Sequence, residues 1–381
     1  MCFDGFCRYI MFWYYLTRQA RKAISHSSSI SVILRPEPVL KSGLFIRLKR
    51  RTYSQYRIRK LLKDFEPACT MLFPDSLQKV REMTMEAAGK SRVIIVAGGD
   101  GTISTAACSI AGSSTLLGII PAGSGNDIAR SLKIPCNKKK AAGLLRQFLG
   151  KGNSRQTGHP DNADISRIAG GSAGPARHGK DFHSRIRDIF AGNVSYWPEK
   201  SPKSFNQQDP EQKAQCRFIN TLGIGYDGHV AGLANRIRFP AGRFKYMAGI
   251  LISIFRWRGV QMKVSLGEEV ITERLLMTTI ANGPFEGGGI QIAPGADPSG
   301  RNYTVIMIRD VRKCKRIWLL LRIMIYGADN HPDIIIRRSC NVRIQTSDPV
   351  PFHADGEVFK DLTSDVHAVK DGKSVRIITP L

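Results

Sequence analysis

Residues 93–102 read Val-Ile-Ile-Val-Ala-Gly-Gly-Asp-Gly-Thr, and this stretch decides the fold. An apolar run without polar alternation predicts a parallel strand covered on both faces. The run ends in a glycine turn that carries one carboxylate, Asp100, and one hydroxyl, Thr102. Gly98, Gly99 and Gly101 permit positive φ and let a ligand come close to the backbone. Thr102 is read as the cap of a following helix that begins ISTAACSIAG. A strand, a glycine turn and a helix N-terminus together present amide N–H groups and a positive dipole end, which suits a phosphate. Asp100 would stand at the carboxyl end of the strand, where open α/β sheets place their ligands. The competing reading is a tight turn with no ligand.

Working outward, Leu116-Leu117-Gly118-Ile119-Ile120-Pro121 repeats the buried-strand pattern, and Ala122-Gly123-Ser124-Gly125-Asn126-Asp127-Ile128-Ala129-Arg130 follows it as a loop and a short helix. Asn126 and Asp127 open that helix, and Arg130 lies one turn later on the same face. An N-cap with an i,i+3 ion pair would account for these residues without a ligand. Two such loops on neighbouring strands would instead converge on one crevice. They would offer donors for phosphate oxygens and carboxylates for magnesium.

GGDGT followed by PAGSGNDIAR resembles the diacylglycerol kinase catalytic domain shared by diacylglycerol, sphingosine and ceramide kinases and by bacterial soluble lipid kinases, within an NAD-kinase-like superfamily. Three later segments resemble that family in the same order: Ile219-Asn220-Thr221-Leu222-Gly223-Ile224-Gly225-Tyr226-Asp227, then Ala281-Asn282-Gly283 through Gly287-Gly288-Gly289-Ile290-Gln291-Ile292-Ala293-Pro294, then His353-Ala354-Asp355-Gly356-Glu357. The resemblance spans residues 31–380 with one large interruption.

The resemblance implies an ATP-dependent lipid kinase that moves the γ-phosphoryl group to a hydroxyl of a diacylglycerol- or sphingosine-like lipid, with Mg2+. By it, Gly98, Gly99, Asp100, Gly101, Thr102, Ser124 and Gly125 bind ATP, while Asn126, Asp127 and Arg130 organise phosphates and magnesium. Asp100 is also placed among the catalytic residues. A lipid hydroxyl has a pKa far above neutrality, so a carboxylate must accept its proton. Asp355 and Glu357 are the candidates: an Asp-Gly-Glu turn sets two acids close together, and their repulsion raises one pKa. Which of the two serves is left open.

The chain departs from the family pattern in places. The family's early N-P-x-S-G loop corresponds to Arg35-Pro36-Glu37-Pro38-Val39-Leu40-Lys41-Ser42-Gly43, which keeps Pro and Ser-Gly but loses Asn. Thr105 stands where the family has an acid. The family's D-G-x-L-D metal turn reads Asp297-Pro298-Ser299-Gly300-Arg301-Asn302, leaving Asp297 as the charged metal ligand.

The 381 residues exceed a single ordinary core. Residues 1–28 read as a basic and aromatic leader, either disordered or interfacial. Residues 29–150 read as a doubly wound α/β nucleotide-binding domain. Its expected strands lie at 29–34 and 68–73 before the two glycine-loop strands, and its helices at 56–64, 77–88 and 139–148. The family resemblance makes 163–168 the strand by which the chain leaves that α/β domain, and residues 151–381 read as an antiparallel β-sandwich. It has β-rich runs at 217–222, 260–266, 270–281, 303–309 and 341–346, and helices at 243–255 and 317–326. The stretch 169–215 is rich in Gly, Ser, Pro, Arg and His and reads as a long mobile insertion. His159, His178 and His183 lack a helix-compatible spacing with a carboxylate and read as solvated histidines rather than a metal set.

A net charge of +26 attracts polyanions. No helix-turn-helix, RNP sequence or zinc-finger spacing is present, so no nucleic acid is expected. Contact with a membrane surface fits better, at about 1 kcal/mol per Lys or Arg near anionic headgroups. Ile10–Leu16, Tyr246–Phe255 and Ile317–Tyr326 fall well short of the roughly twenty residues needed to span a bilayer. The eight cysteines are scattered without a C-x-x-C pair, which suggests a reduced, cytoplasmic compartment. The expectation is a cytoplasmic, peripherally membrane-associated enzyme of lipid metabolism, with homodimerisation open. The alternatives are an NAD kinase and a non-catalytic lipid- or nucleotide-binding relative.

Overall fold

The structure, a computed structural model, describes residues 30–34, 69–153, 184–198, 213–236, 249–250, 252–328, 331–359 and 361–381. The N-terminal unit is an open parallel sheet of β1 (Ile30–Leu34), β2 (Cys69–Leu72), β3 (Val93–Gly98) and β4 (Leu116–Pro121), in the spatial order β2-β1-β3-β4. Every residue of β3 is buried, as its unbroken apolar run requires. Alternation then divides the strand between two layers. Ile94 and Val96 pack with Val80 of helix α1 (Leu77–Ala88) and with Ile103 and Ala107 of α2 (Asp100–Ser109). Beyond the five-residue α3 (Asp127–Ser131) comes α4 (Lys138–Asn153), which supplies Ala142 and Leu145 against Val93, Ile95 and Ala97 on the other face. Helix α1 starts where Ser76 Oγ accepts the Lys79 N–H at 3.2 Å, an ordinary serine N-cap.

The C-terminal unit is mainly antiparallel. Its elements are β5 (Ser184–Pro198), β6 (Ala214–Phe218), β7 (Thr221–Gly225), α5 (Tyr226–Arg236), β8 (Val260–Leu266), β9 (Glu269–Ala281), β10 (Tyr303–Arg309), α6 (Lys313–Tyr326), β11 (Ile334–Ser339), β12 (Asn341–Val350), β13 (Phe352–Ala354), β14 (Glu357–Val358) and β15 (Thr363–Pro380). Phe218, Leu222, Met262, Tyr303 and Phe352 fill one buried core. Tyr226, Ile254, Leu319 and Ile323 fill another, beneath α5 and α6. The mixed, sheet-dominated α/β class is the expected one. No described helix is long and apolar enough to cross a membrane.

Two expectations are corrected. The expected mobile insertion at 169–215 contains β5 and the start of β6. The alternation in β5 is masked by Arg185, Arg187 and Asp188, while Ile189, Ala191 and Val194 point into the core. The division at residue 150 is also crossed, because β15 runs antiparallel to β5 and β12 and then pairs parallel with β4 through Arg376–Leu116 and Ile377–Leu117. Asp371-Gly372 inside β15 reads as a turn in sequence. The structure absorbs it as a register shift between Lys370 and Ser374, with Gly372 at φ +78°. The leader 1–28, the loop 35–43, the helix 56–64, the strand 163–168, the three histidines and most of the helix 243–255 lie outside the described residues.

Candidate active site

The two glycine loops meet backbone to backbone. None of Gly98, Gly99 and Gly101 uses the positive φ that glycine permits. What the first loop needs from glycine is closeness: a Cβ on Gly123 would lie 2.5 Å from Gly99 Cα. Helix α2 begins at Asp100 with Gly99 as its N-cap, so Thr102 lies within the first turn and does not cap it. Thr102 is buried against Gly98. Ser124 is exposed at the tip of the second loop.

Asp100 ties the loops together. Its Oδ2 accepts the Asn126 N–H at 2.7 Å and its Oδ1 the Ile128 N–H at 3.0 Å. Burial raises its pKa, and these backbone donors oppose the rise. Asn126 takes the left-handed conformation (φ 59°), and its side-chain amide holds Gly123 on both sides, accepting at 2.9 Å and donating at 3.2 Å.

Asp127 reaches across to the C-terminal unit, where its Oδ2 accepts the Gly288 N–H at 2.7 Å. Gly287, Gly288 and Gly289 all have positive φ (64°, 87° and 108°), which explains the triple glycine. Asp127 Oδ1 is buried without a hydrogen-bond partner and lies 3.7 Å from Arg130 Nη1. Burial first, then the neighbouring charge of Asp100, pushes its pKa up to about 6. Arg130 is held by a hydrogen bond to the Gly125 carbonyl.

Asp355 is fully occupied. Its Oδ1 accepts the N–H groups of Asn220 (2.8 Å) and Thr221 (2.9 Å); its Oδ2 accepts the Ile219 N–H (2.8 Å) and the Ser104 hydroxyl. This joins α2 to the segment before β7 and holds Asp355 at φ 50°. Glu357 is exposed on the two-residue strand β14. The two acids of the Asp-Gly-Glu turn therefore point to very different surroundings, one interior and one solvated.

A cleft between the two units is lined by Asp100, Asp127, Thr221, Glu286, Asp355 and Gly356, among others. Behind it stands a group that motif reading passed over. His353 Nε2 lies 3.0 Å from Glu286 Oε1 and 3.4 Å from Asp227 Oδ1. The Gly356 N–H approaches His353 Nδ1 at 3.3 Å, which suits a neutral ring, whereas the two carboxylates favour the cation. Burial disfavours the His353 cation, but the pull of Asp227 and Glu286 prevails and raises His353 to about 10. Asp227, Glu286 and His353 bring ligand-type atoms within 4.8 Å of one another. Asp227 and His353 both sit inside recognisable motifs. Their partnership with Glu286 spans 126 residues (from Asp227 to His353) and leaves no local signal.

Asp297 does not join the cleft. Its Oδ1 accepts from Arg187 Nη2 at 2.9 Å, and the Lys370 ammonium donates to the carbonyls of Gly300 (2.7 Å) and Asn302 (3.3 Å). Two protein cations thus occupy the turn, so the residues present do not fit the structural metal that the family resemblance implied for Asp297. Accordingly, Mg2+ or a chelator should leave the Tm of the nucleotide-free protein unchanged. Lys370→Met should lower stability by about 1–3 kcal/mol, measured by calorimetry.

Comparison with known proteins agrees with this architecture. A model of the diacylglycerol kinase catalytic domain matches residues 49–153, and one of the YegS C-terminal NAD kinase beta sandwich-like domain matches residues 220–377. The diacylglycerol kinase of Mycobacterium tuberculosis (strain CDC 1551 / Oshkosh) is 26% identical over 277 residues, covering 72% of this chain and 74% of that protein. Its counterpart in strain ATCC 25618 / H37Rv matches equally, at 26% over 277 residues. The crystal structure of a diacylglycerol kinase from Bacillus anthracis str. Sterne shares the fold, with a TM-score of 0.55 at 16% identity over 92% of this chain and 97% of that one. With the two models laid over the two units that frame the cleft, the chain carries a diacylglycerol kinase catalytic domain followed by a YegS-type C-terminal domain.

Proposed function

We propose that this protein transfers the γ-phosphoryl group of ATP to a hydroxyl of a diacylglycerol- or sphingosine-like lipid. The observation that carries the reading is the clamp of Asp100 on Asn126 and Ile128, which opens both glycine loops into the cleft that Asp355 and Glu286 line. Glycine turns at sheet ends and the N-terminus of α2 suit the triphosphate. Gly98, Gly99, Gly101, Ser124 and Gly125 supply the close backbone approach. Thr102 supports the first loop from behind.

Mg2+ would supply charge neutralisation at the phosphates. Asp127 and the adjacent Asn126 are the residues that would hold it. The buried Oδ1 of Asp127 lacks a hydrogen-bond partner, and an acid with its pKa at about 6 is largely ionised at neutral pH. Arg130 lies beside it and would steady a phosphate oxygen.

The acceptor is drawn from a membrane surface. Trp318, Leu321, Ile325 and Tyr326 are exposed on α6, and Ile252 and Phe255 are exposed nearby in sequence to the helical residues that pack beneath α6. Arg312 and Lys313 are exposed at the start of the same helix, a composition suited to an anionic interface. The protein would then work on the cytoplasmic face of a membrane, as a peripheral enzyme.

The test is incubation with radiolabelled ATP and vesicles that contain diacylglycerol, a sphingoid base or ceramide in an anionic background. Label in the organic-extractable product is expected. Label in NADP, with NAD supplied as acceptor, would favour the NAD-kinase reading instead. ATP binding by calorimetry without turnover would mark a non-catalytic relative.

A further inference from the structure

We propose that Glu286, positioned by the His353–Asp227 pair, accepts the proton of the acceptor hydroxyl during phosphoryl transfer. The inference rests on the lipid-kinase reading above and assigns the base within the same site.

Glu286 lines the cleft and is 9% exposed, yet its Oε2 has no hydrogen-bond partner. Its other oxygen is fixed: Oε1 accepts the Thr221 hydroxyl at 3.0 Å and faces His353 Nε2 at 3.0 Å. His353 lies in turn 3.4 Å from Asp227 Oδ1, and Asp227 Oδ2 accepts the Thr279 hydroxyl at 2.7 Å. A buried carboxylate oxygen left without a donor is costly, and a donor brought by the substrate would relieve it. A lipid hydroxyl entering the cleft is such a donor.

The other acids of the cleft are committed. Asp355 receives four donors and Asp100 receives backbone N–H groups on both oxygens. Asp127 is bound to Gly288 and lies beside Arg130, on the phosphate side. Glu357 is exposed and outside the cleft lining. Asp127 and Glu286 both line the cleft with a buried oxygen to spare, but that of Asp127 lies 3.7 Å from Arg130 Nη1, which leaves Glu286 for the acceptor hydroxyl.

Burial, reinforced by the charge of Asp227 and opposed by His353, lifts the Glu286 pKa to about 7, near the value that serves a general base best at neutral pH. In the transfer step, an electron pair of the acceptor oxygen forms the new bond to the γ-phosphorus while its proton moves to Glu286 Oε2. The bond from the γ-phosphorus to the β–γ bridging oxygen breaks, and its electron pair leaves on ADP. The proton passes to solvent when the phosphorylated lipid departs. His353 and Asp227 are positioning residues: His353 faces Oε1 and is itself held by Asp227, which leaves Oε2 for the acceptor.

The experiment uses the full chain, radiolabelled ATP and phosphatidylcholine–phosphatidylserine vesicles carrying the preferred lipid acceptor. Glu286→Gln should lower kcat by about 10²–10⁴-fold while ATP affinity, measured by calorimetry, stays unchanged. Wild-type turnover should rise with pH through about 7, since the base must be ionised. His353→Gln removes the cation that favours ionised Glu286, so that limb should move to higher pH. Asp227→Asn removes a repelling charge and should move it lower. These shifts carry the test even where Glu286→Gln folds poorly. Full kcat in Glu286→Gln, a pH limb indifferent to His353→Gln, or loss of turnover in Glu357→Gln alone would overturn the assignment. Absence of transfer to any lipid by the wild type would overturn the lipid-kinase reading itself, and the base assignment with it.

Discussion

Asp355→Ala is expected to unfold this protein more readily than any other single change in the cleft. The carboxylate is buried and holds three backbone N–H groups and the Ser104 hydroxyl. Removing it leaves these donors buried without acceptors, at about 1–3 kcal/mol each before relaxation. Because the donors share one cavity and their costs do not add fully, about 3–5 kcal/mol is expected. That is a large part of the whole stability of a typical protein, roughly 5–15 kcal/mol. Calorimetry should show a Tm fall of roughly 4–6 °C, at about 2.1 cal/mol/K of unfolding entropy per residue. Asp355→Asn should fare little better, since its NH2 group would face N–H donors. A variant that loses turnover at an unchanged Tm would contradict this structural role and restore Asp355 as the proton acceptor.

Asp100→Ala is expected to abolish phosphoryl transfer by separating the nucleotide loops. The two hydrogen bonds from Asn126 and Ile128 are charge-assisted and span 26 and 28 residues of sequence. Their loss frees both loops, which must then be ordered at the expense of binding energy. A loss of about 1.4–2.8 kcal/mol corresponds to ATP binding weaker by roughly 10–100-fold. Calorimetric titration with ATP measures this directly. Unchanged ATP affinity alongside lost turnover would instead indicate that Asp100 acts on the reacting groups.

The chemistry of the N-terminal unit was readable because its signals are local. Val93–Gly98 and Leu116–Pro121 each combine an unbroken apolar run with an adjoining glycine loop, and both are buried parallel strands. Helix α1 coincides with the expected 77–88, where a serine cap precedes an amphipathic repeat. The C-terminal unit was harder. Strand β5 mixes arginines with its apolar positions, and β15 carries Asp371-Gly372, so both resemble loops until a partner strand is present. Their pairing joins residues 184–198 to 363–380, a separation that no short window can sense.

The roles of the site residues divide in the same way. Residue type and spacing alone determined that two glycine loops would end neighbouring buried strands and that acids would gather near them, because strand burial and turn chemistry act over a few residues. Only the tertiary structure decided what each acid does. It buries Asp355 under four donors, gives Asp100 to the second loop, replaces the metal at Asp297 with Arg187 and Lys370, and sets Glu286 beside His353 with one oxygen free. A carboxylate's function follows from its solvation and partners, and those are contributed by segments far apart in the chain that meet only when the sheet closes.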